Sequence, residues 1–338
     1  ANTTTFIDGF FAYDRVDTNE YFISDLLDGT SYSDLFGAAE ARPDDVLAVL
    51  KHIEVLHLLG KSTIELHQNV GAANMPFQRI PGGLVDRGVC GPRAFATEDS
   101  AVFIAGNDRI GYRLNGSALQ KITTPAIDSA WEKYGAVSDC EVFSYSYSGH
   151  KFVNYNFPGA NKTWVWDIAT NLWHERESYD RTGNSLGRWR GRCSATAYEK
   201  TFIGDAYTGK IGYIDGATFT EFGDNTRAEL ISPPIHADGK RVFMPWFELD
   251  VKTGVGKTSG QGSDPQYMLS ISDDGGNTWD EAQLWQSAGA LGQYGESRKQ
   301  LRWDRLGSFY ERCLKITCSD PVQRVVHAAR CPQFRIGT

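Results

Sequence analysis

Short runs of β-forming residues, each about four to eight long, recur roughly every 8 to 12 residues and close on Gly, Asn or Asp. Such frequent punctuation leaves no room for helices of bundle length and imposes antiparallel strands joined by tight turns. Residues 46–51, 53–59 and 62–67 form one group, with Gly60-Lys61 as a turn. Residues 101–105, 110–114 and 119–122 form a second, turning at Gly106-Asn107-Asp108 and Asn115-Gly116. A third holds residues 140–147, 151–156, 163–167 and 172–175, and a fourth residues 191–198, 201–204, 210–214 and 218–222. Four groups at a period of roughly 40 to 50 residues match the spacing of propeller blades. Aromatic residues flank the hairpins, as in Trp166-Asp167 to Trp173 and Tyr213-Ile214-Asp215 to Phe219, where they set cross-strand register and cover sheet faces.

The fold class expected is therefore all-β, with β-propeller-like blades of short antiparallel strands. The 35 glycines and 12% aromatics among 338 residues supply the turns and flat packing groups that such sheets need. One or two short helices interrupt the pattern. Pro125 opens a stretch with Ile127, Ala130, Trp131 and Tyr134 at helical spacing, ending before Gly135. Residues 33–41 form a second candidate helix, stopped at Arg42-Pro43. The chain changes character near Pro233-Pro234, which divides it into residues 1–232, propeller-like, and a C-terminal β segment, residues 233–338. That segment, with runs at residues 241–252, 266–272, 279–285, 312–317 and 324–336, either completes the propeller or forms a sandwich-like element.

Several motifs touch on chemistry. Ser272, Asp274, Gly276, Thr278 and Trp279 match an Asp-box, a hairpin in which Asp accepts turn amides, Gly takes positive φ and Trp staples the turn. Its polar groups are consumed by the turn, so its role is structural. Gly254-Val255-Gly256-Lys257-Thr258 resembles the end of a phosphate-binding loop, but Val251 stands where the opening glycine belongs and a flexible stretch follows. Phe77-Gln78-Arg79-Ile80-Pro81 resembles the sialidase motif whose arginine grips a carboxylate, with an extra Gln and no accompanying Tyr/Glu nucleophile pair. The seven histidines show no metal-ligand spacing, and the pairs Asp44-Asp45 and Asp273-Asp274 sit in turns rather than facing one sugar. No catalytic residue, cofactor or metal is expected.

The net charge of −8 disfavours a sequence-specific DNA binder and suits a surface past which DNA moves without sticking. Arg181, Arg188, Arg190 and Arg192 form the one local basic cluster, interleaved with Trp189. They read as a solvated loop or as an interface or DNA-proximal loop acting through charge-assisted bonds. The six cysteines form no C-x-x-C pair and read as reduced, mostly buried thiols. Cys313 and Cys318 have opposite parity on one strand, which makes them poor partners for each other. No apolar run reaches membrane-spanning length and no signal segment is visible, so no membrane anchor is expected.

Several stretches in order resemble the packaged-DNA stabilisation family, the tail hub of short-tailed bacteriophages. They are Phe11-Ala12-Tyr13, Glu20-Tyr21-Phe22-Ile23-Ser24-Asp25-Leu26, Ala39-Glu40-Ala41-Arg42-Pro43-Asp44 and Gly60-Lys61-Ser62-Thr63-Ile64-Glu65. Residues 241–254, Trp303-Asp304-Arg305-Leu306-Gly307 and Asp320-Pro321-Val322 complete the set. The family's N-terminal portion has no counterpart here, and the chain starts at Ala1 without a methionine, so closure of a propeller by this chain alone stays open, the alternatives being a fragment, a proteolytic product or a second chain that supplies the missing strands. The resemblance implies a virion protein, assembled in the host cytoplasm, that forms a homo-hexameric ring below the portal and its adaptor. It implies partners in the tail needle and tailspikes or fibres, and double-stranded DNA passing without sequence-specific binding. The alternatives are a sialidase-like glycoside hydrolase working through Arg79 and a carbohydrate-binding propeller on the tail periphery.

Overall fold

The computed structural model describes all residues except 33–34, 43, 181–184, 281–288, 333–334 and 337–338. They group into two units: residues 1–177 with 186–214, and residues 178–185 with 215–338.

The first unit is a succession of five antiparallel meanders among the described residues. Sheet one holds β1 (Thr4–Ile7), β2 (Phe10–Asp14), β3 (Glu20–Ile23) and β4 (Phe36–Ala38). Sheet two holds β5 (Val46–His52), β6 (Val55–Gly60), β7 (Ile64–Asn69) and β8 (Phe77–Val85). Sheet three holds β9 (Phe95–Glu98), β10 (Ala101–Ala105), β11 (Gly111–Asn115) and β12 (Ala118–Lys121). Helix α1 (Pro125–Glu132) then leads to sheet four, β13 (Glu141–Tyr147), β14 (His150–Phe157), β15 (Lys162–Asp167), β16 (Leu172–Asp180) and β17 (Ser185–Arg188). Sheet five has β18 (Gly191–Ala197), β19 (Lys200–Asp205) and β20 (Ile211–Tyr213).

Each sheet packs on the next, because alternate residues of every strand turn apolar side chains to a neighbour. Ile7, Ala12, Tyr21 and Ile23 of sheet one share a core with Val46, Val49, Leu56, Leu58 and Phe77 of sheet two. A larger core joins sheets two, three and four around Leu59, Val102, Ile104, Val153, Tyr155 and Trp166. Phe143 and Tyr145 of sheet four meet Ile203 of sheet five. Hydroxyl groups stitch the leading strands together. Thr3 and Thr5 Oγ1 accept from the Val49 and Lys51 amides at 2.8 and 3.0 Å, and Ser144 Oγ donates to Thr97 O at 2.9 Å. Between sheets one and two, Tyr21 OH lies 3.2 Å from His67 Nδ1, and His67 Nε2 lies 3.3 Å from the Glu65 carboxylate, whose other oxygen accepts from the Ala41 amide. All three side chains are buried, and a neutral His67 protonated on Nε2 satisfies both neighbours.

Helix α1 starts as expected, with Pro125 at its first position, and inserts Trp131 fully into the core against Tyr155, Phe157 and Trp173. Arg109 donates to the carbonyls of Glu132, Tyr134 and Gly135 at its far end, where carbonyls lack helical partners. The second expected helix does not form over its described residues. Residues 36–38 are strand β4 instead, with Phe36 opposite Phe22. Gly37 lies so close on the Tyr21 ring that a Cβ there would stand 2.5 Å from it, so pairing with β3 overrides local helix preference. Residues 218–222 do not add a fourth strand to sheet five. There β21 (Thr220–Glu221) pairs only with β22 (Asp224–Asn225), both in the second unit.

The second unit continues with β23 (Ala228–Ile231), β24 (Ile235–His236), β25 (Val242–Phe243), β26 (Trp246–Val251), β27 (Met268–Ser272) and β28 (Leu301–Asp304). It ends with β29 (Ser308–Phe309), β30 (Glu311–Cys318), β31 (Val326–Arg330) and β32 (Arg335–Ile336). Strand β30 is central to one sheet, pairing with β27, β23 and β24, while β26 lies between β28 and β31 in another. Strict alternation in β26 turns Phe247, Leu249 and Val251 inward. They join Leu301 and Trp303 of β28, Leu269 and Ile271 of β27, and Leu314 and Ile316 of β30 in one core. The short ladder β29–β25–β32 adds Val242 and Phe309 to that core, and sheets facing each other across a single apolar layer are sandwich construction. The expected run at residues 279–285 lies largely outside the described residues. The six cysteines are free thiols, with Cys140, Cys313 and Cys318 buried, and Cys193 and Cys331 exposed.

Candidate functional site at the inner strand ends

The arginine cluster occupies two strands and the turn between them rather than a loop. Arg188 ends β17, Arg192 lies on β18, and Trp189-Arg190 join them; Arg181 lies outside the described residues. The three described arginines have different environments. Arg190 turns inward and forms a bidentate pair with Asp205, Nε to Oδ1 at 2.9 Å and Nη2 to Oδ2 at 2.7 Å, both side chains being buried. Burial pushes the Asp205 carboxyl up, but hydrogen bonds from Arg190, Thr208 and the Tyr207 amide outweigh it and hold it at about 2. Arg190 is thus a structural residue, unavailable as an interface contact.

Arg192 reaches back to sheet four, where its Nε and Nη2 hold the Glu141 carboxylate at 3.0 and 2.7 Å. Arg93, just ahead of β9, takes the same carboxylate at 3.0 Å. Burial raises the Glu141 carboxyl and the two guanidiniums overcome it, keeping the group below its usual range. Neither Arg93 nor Glu141 stood out in the sequence, because 48 and 51 residues separate Glu141 from its partners. Beside them opens a cleft of about 430 Å3 lined by Asn2, Arg93, Asp139, Glu141, Arg188 and Arg192. The Arg188 guanidinium lies 5.6 Å from the Tyr207 ring centroid, stacked rather than ion-paired. The cleft therefore offers one stacked arginine and two arginines that share a carboxylate, an arrangement suited to holding an acidic group by charge-assisted bonds.

The Asp-box residues close their hairpin after β27 in the second unit. Asp274 accepts from the Thr278 amide at 2.9 Å, from Thr278 Oγ1 at 2.6 Å and from Ser272 Oγ at 2.7 Å, and Ser272 Oγ accepts from the Gly276 amide. Those bonds, led by the Thr278 hydroxyl, hold the Asp274 carboxyl well below the ordinary range. Gly275 and Gly276 both take positive φ, and Trp279 lies under Lys315 of β30. The neighbouring Asp273 takes Arg312 of β30 bidentately, at 2.6 and 2.7 Å. A related device recurs in the first unit without an Asp-box. Asp167 accepts from the Ala169 amide and the Thr170 hydroxyl, and Asp205 from the Tyr207 amide and the Thr208 hydroxyl. The signal was legible as Asp-x-x-Thr, an Asx turn closed by a threonine.

The other motifs stand apart from these sites. Arg79 is exposed on β8 opposite His67 and lines no part of the cleft. Residues 254–258 run as a loop bound to a neighbouring segment, Gly254 N donating to Leu291 O at 2.8 Å. Asp44 serves a turn, accepting from the amides and hydroxyls of Ser62 and Thr63. Among the described residues no three His, Cys, Asp or Glu side chains cluster as metal ligands, and no helix is long and apolar enough to cross a membrane.

Residues 1–219 match the family model described as bacteriophage P22 Gp10, beta-propeller, and residues 227–332 match its beta-sandwich companion. The chain belongs to the bacteriophage P22 Gp10 family. Its fold is accordingly a β-propeller followed by a β-sandwich, and the chain is a phage structural protein of the Gp10 stabilisation, or tail-hub, type. The Asp-box, a frequent mark of propeller hairpins, here lies in the part matched by the Gp10 sandwich. No curated protein sequence matches the chain. Solved structures resemble it only distantly. BamB from Moraxella catarrhalis aligns at 11% identity and TM-score 0.31 over 62% of this chain and 68% of that one. An exo-beta-1,3-galactanase from Phanerochaete chrysosporium aligns at 10% identity and TM-score 0.34 over 96% and 94%.

Proposed function

We propose that this chain is the subunit of a homo-hexameric hub ring below the portal and its adaptor. In this reading the ring helps to seal the DNA exit together with the tail needle and offers lateral surfaces to tailspikes or fibres. The observation that carries the reading is the ordered match of both Gp10 models, propeller then sandwich, along nearly the whole chain. The net charge of −8 supports a conduit past which DNA slides, since the surface as a whole repels phosphate. Arg188 and Arg192, at the cleft, are the residues of the cluster we assign to contact with an acidic neighbour or with passing DNA. The hairpin of Ser272, Asp274, Gly276, Thr278 and Trp279 has a structural role. The work is mechanical: a ring of heterologous contacts closing after six copies resists confined DNA.

Cryo-electron microscopy of the intact particle tests this directly. Six copies around the channel, between adaptor and needle, are expected. A peripheral position, with Arg79 facing an open glycan-sized pocket, would overturn the hub and favour a carbohydrate-directed role.

A further inference from the structure

The cleft at the start of β9, β13 and β18 carries three guanidiniums, of Arg93, Arg188 and Arg192, against two carboxylates, of Asp139 and Glu141. Their pairing is uneven. Glu141 is consumed by Arg93 and Arg192, whose donors lie 2.7 to 3.0 Å from it. Asp139 accepts from the Gly159 amide at 2.6 Å. Among the described residues the Arg188 side chain has neither an ion pair nor a hydrogen bond. It stacks on Tyr207 instead, and stacking covers the face of a guanidinium while its N–H edge stays open for in-plane pairing. The cleft is therefore one negative charge short, in a chain whose surface as a whole is acidic.

The unpaired cation is held in place. Its backbone amide donates to Asn161 Oδ1 at 2.9 Å. The ring beneath it belongs to the turn whose Tyr207 amide donates to Asp205 at 3.2 Å, and Asp205 is the carboxylate that Arg190 clamps. The buried pair thus fixes the ring on which Arg188 rests, and groups positioned in advance lose less entropy on binding. At about 430 Å3 the cleft falls within the size of sites that take small groups, about 300–1,000 Å3. A DNA duplex, whose major groove alone is about 12 Å wide, meets only its rim. We propose that the cleft takes an Asp or Glu side chain from a peptide segment of another polypeptide chain, its carboxylate paired in plane with Arg188 beside Arg192. Tyr207 is the positioning residue. The inference rests on the assignment of Arg188 and Arg192 to contact, and narrows their partner to an acidic peptide.

Fluorescence anisotropy of fluorescein-labelled hexaglutamate with the isolated 338-residue chain at low salt is the first test. Binding is expected, with Kd raised about tenfold or more by Arg188→Gln and by Tyr207→Leu, the scale of one charge-assisted bond. Tyr207→Phe, which keeps the stack, and Lys133→Gln, at an exposed cation after α1, should each stay within about twofold. No binding by the unaltered chain, or equal losses in Arg188→Gln and Lys133→Gln, would overturn the proposal. Binding of a random DNA duplex that Arg188→Gln abolishes, without binding of hexaglutamate, would give the cleft to phosphate and also overturn it. Should Arg188→Gln disrupt folding, Arg188→Lys keeps the charge and adds an amine. Carbodiimide coupling in purified phage particles, read by peptide mass spectrometry, is expected to join that amine to an Asp or Glu of another polypeptide chain. A cross-link confined to Asp139 or Glu141 of the same chain would refute the acidic partner. Neither readout depends on where the particle holds the chain, so a failed cleft leaves the hub, read by microscopy, untouched, and a peripheral position removes the hub without touching the cleft.

Discussion

Single residues carry much of the electrostatics. His57 is 3% exposed on β6, and burial, with His52 nearby, lowers its pKa to about 4 despite the bond to Val55 O. The unfolded chain therefore takes up this proton first, near pH 6.5, so stability is complete above that value and falls as pH drops toward 4. This one group accounts for about 2 kcal/mol lost between pH 7 and pH 5. Urea unfolding at both values, with a His57→Gln variant whose loss is correspondingly smaller, checks the assignment. The Arg190–Asp205 pair has the opposite origin: Asp205 is held low, and its contribution is present above pH 4 and lost as pH falls toward 2. Arg190→Met leaves a buried carboxylate without its partner and is expected to cost about 3–5 kcal/mol in thermal or urea unfolding. A loss below 1 kcal/mol would return Arg190 to the list of free surface cations. Proximity in sequence grouped Arg190 with Arg188 and Arg192, but its place in the turn between β17 and β18 and the distant Asp205 set it apart from them.

At the scale of elements, turn chemistry was legible and strand count was not. Gly60-Lys61, Asn115-Gly116 and the Asp-box announce their hairpins because turn residues act locally. The leading strand of sheet three, β9, follows Gly91-Pro92 and is only four residues long, so no periodicity could reveal it. Sheet one was unread as a blade for a related reason: Phe10-Phe11-Ala12-Tyr13 has large groups on both faces and shows no polar alternation. Helix α1 was legible because Pro125 and the spacing of Ile127 and Trp131 agree with its packing. Trp131→Ala is expected to cost about 3–5 kcal/mol, since a fully buried indole would leave a cavity among Tyr155, Phe157 and Trp173. For the Asp-box, Asp274→Ala should speed amide exchange at Thr278 by about tenfold, the scale of one hydrogen bond. Unchanged exchange would mean that Gly275 and Gly276 hold the turn without the carboxylate.

On the scale of the whole chain, charge leads to a further expectation. With a net charge of −8, the protein should bind a random DNA duplex more weakly than about 10⁻⁴ M at physiological salt. Fluorescence anisotropy checks this, and tighter binding with a steep salt dependence would show that Arg188 and Arg192 dominate the field locally. Those arginines border a place where three sheets meet a single group. Glu141 begins β13, Arg93 precedes β9 and Arg192 lies on β18, so one carboxylate ties sheets three, four and five at the same end. In a folding fan, the rivet decides how far each leaf opens from the next. A side chain that holds three leaves at once restrains how far each can swing from the next.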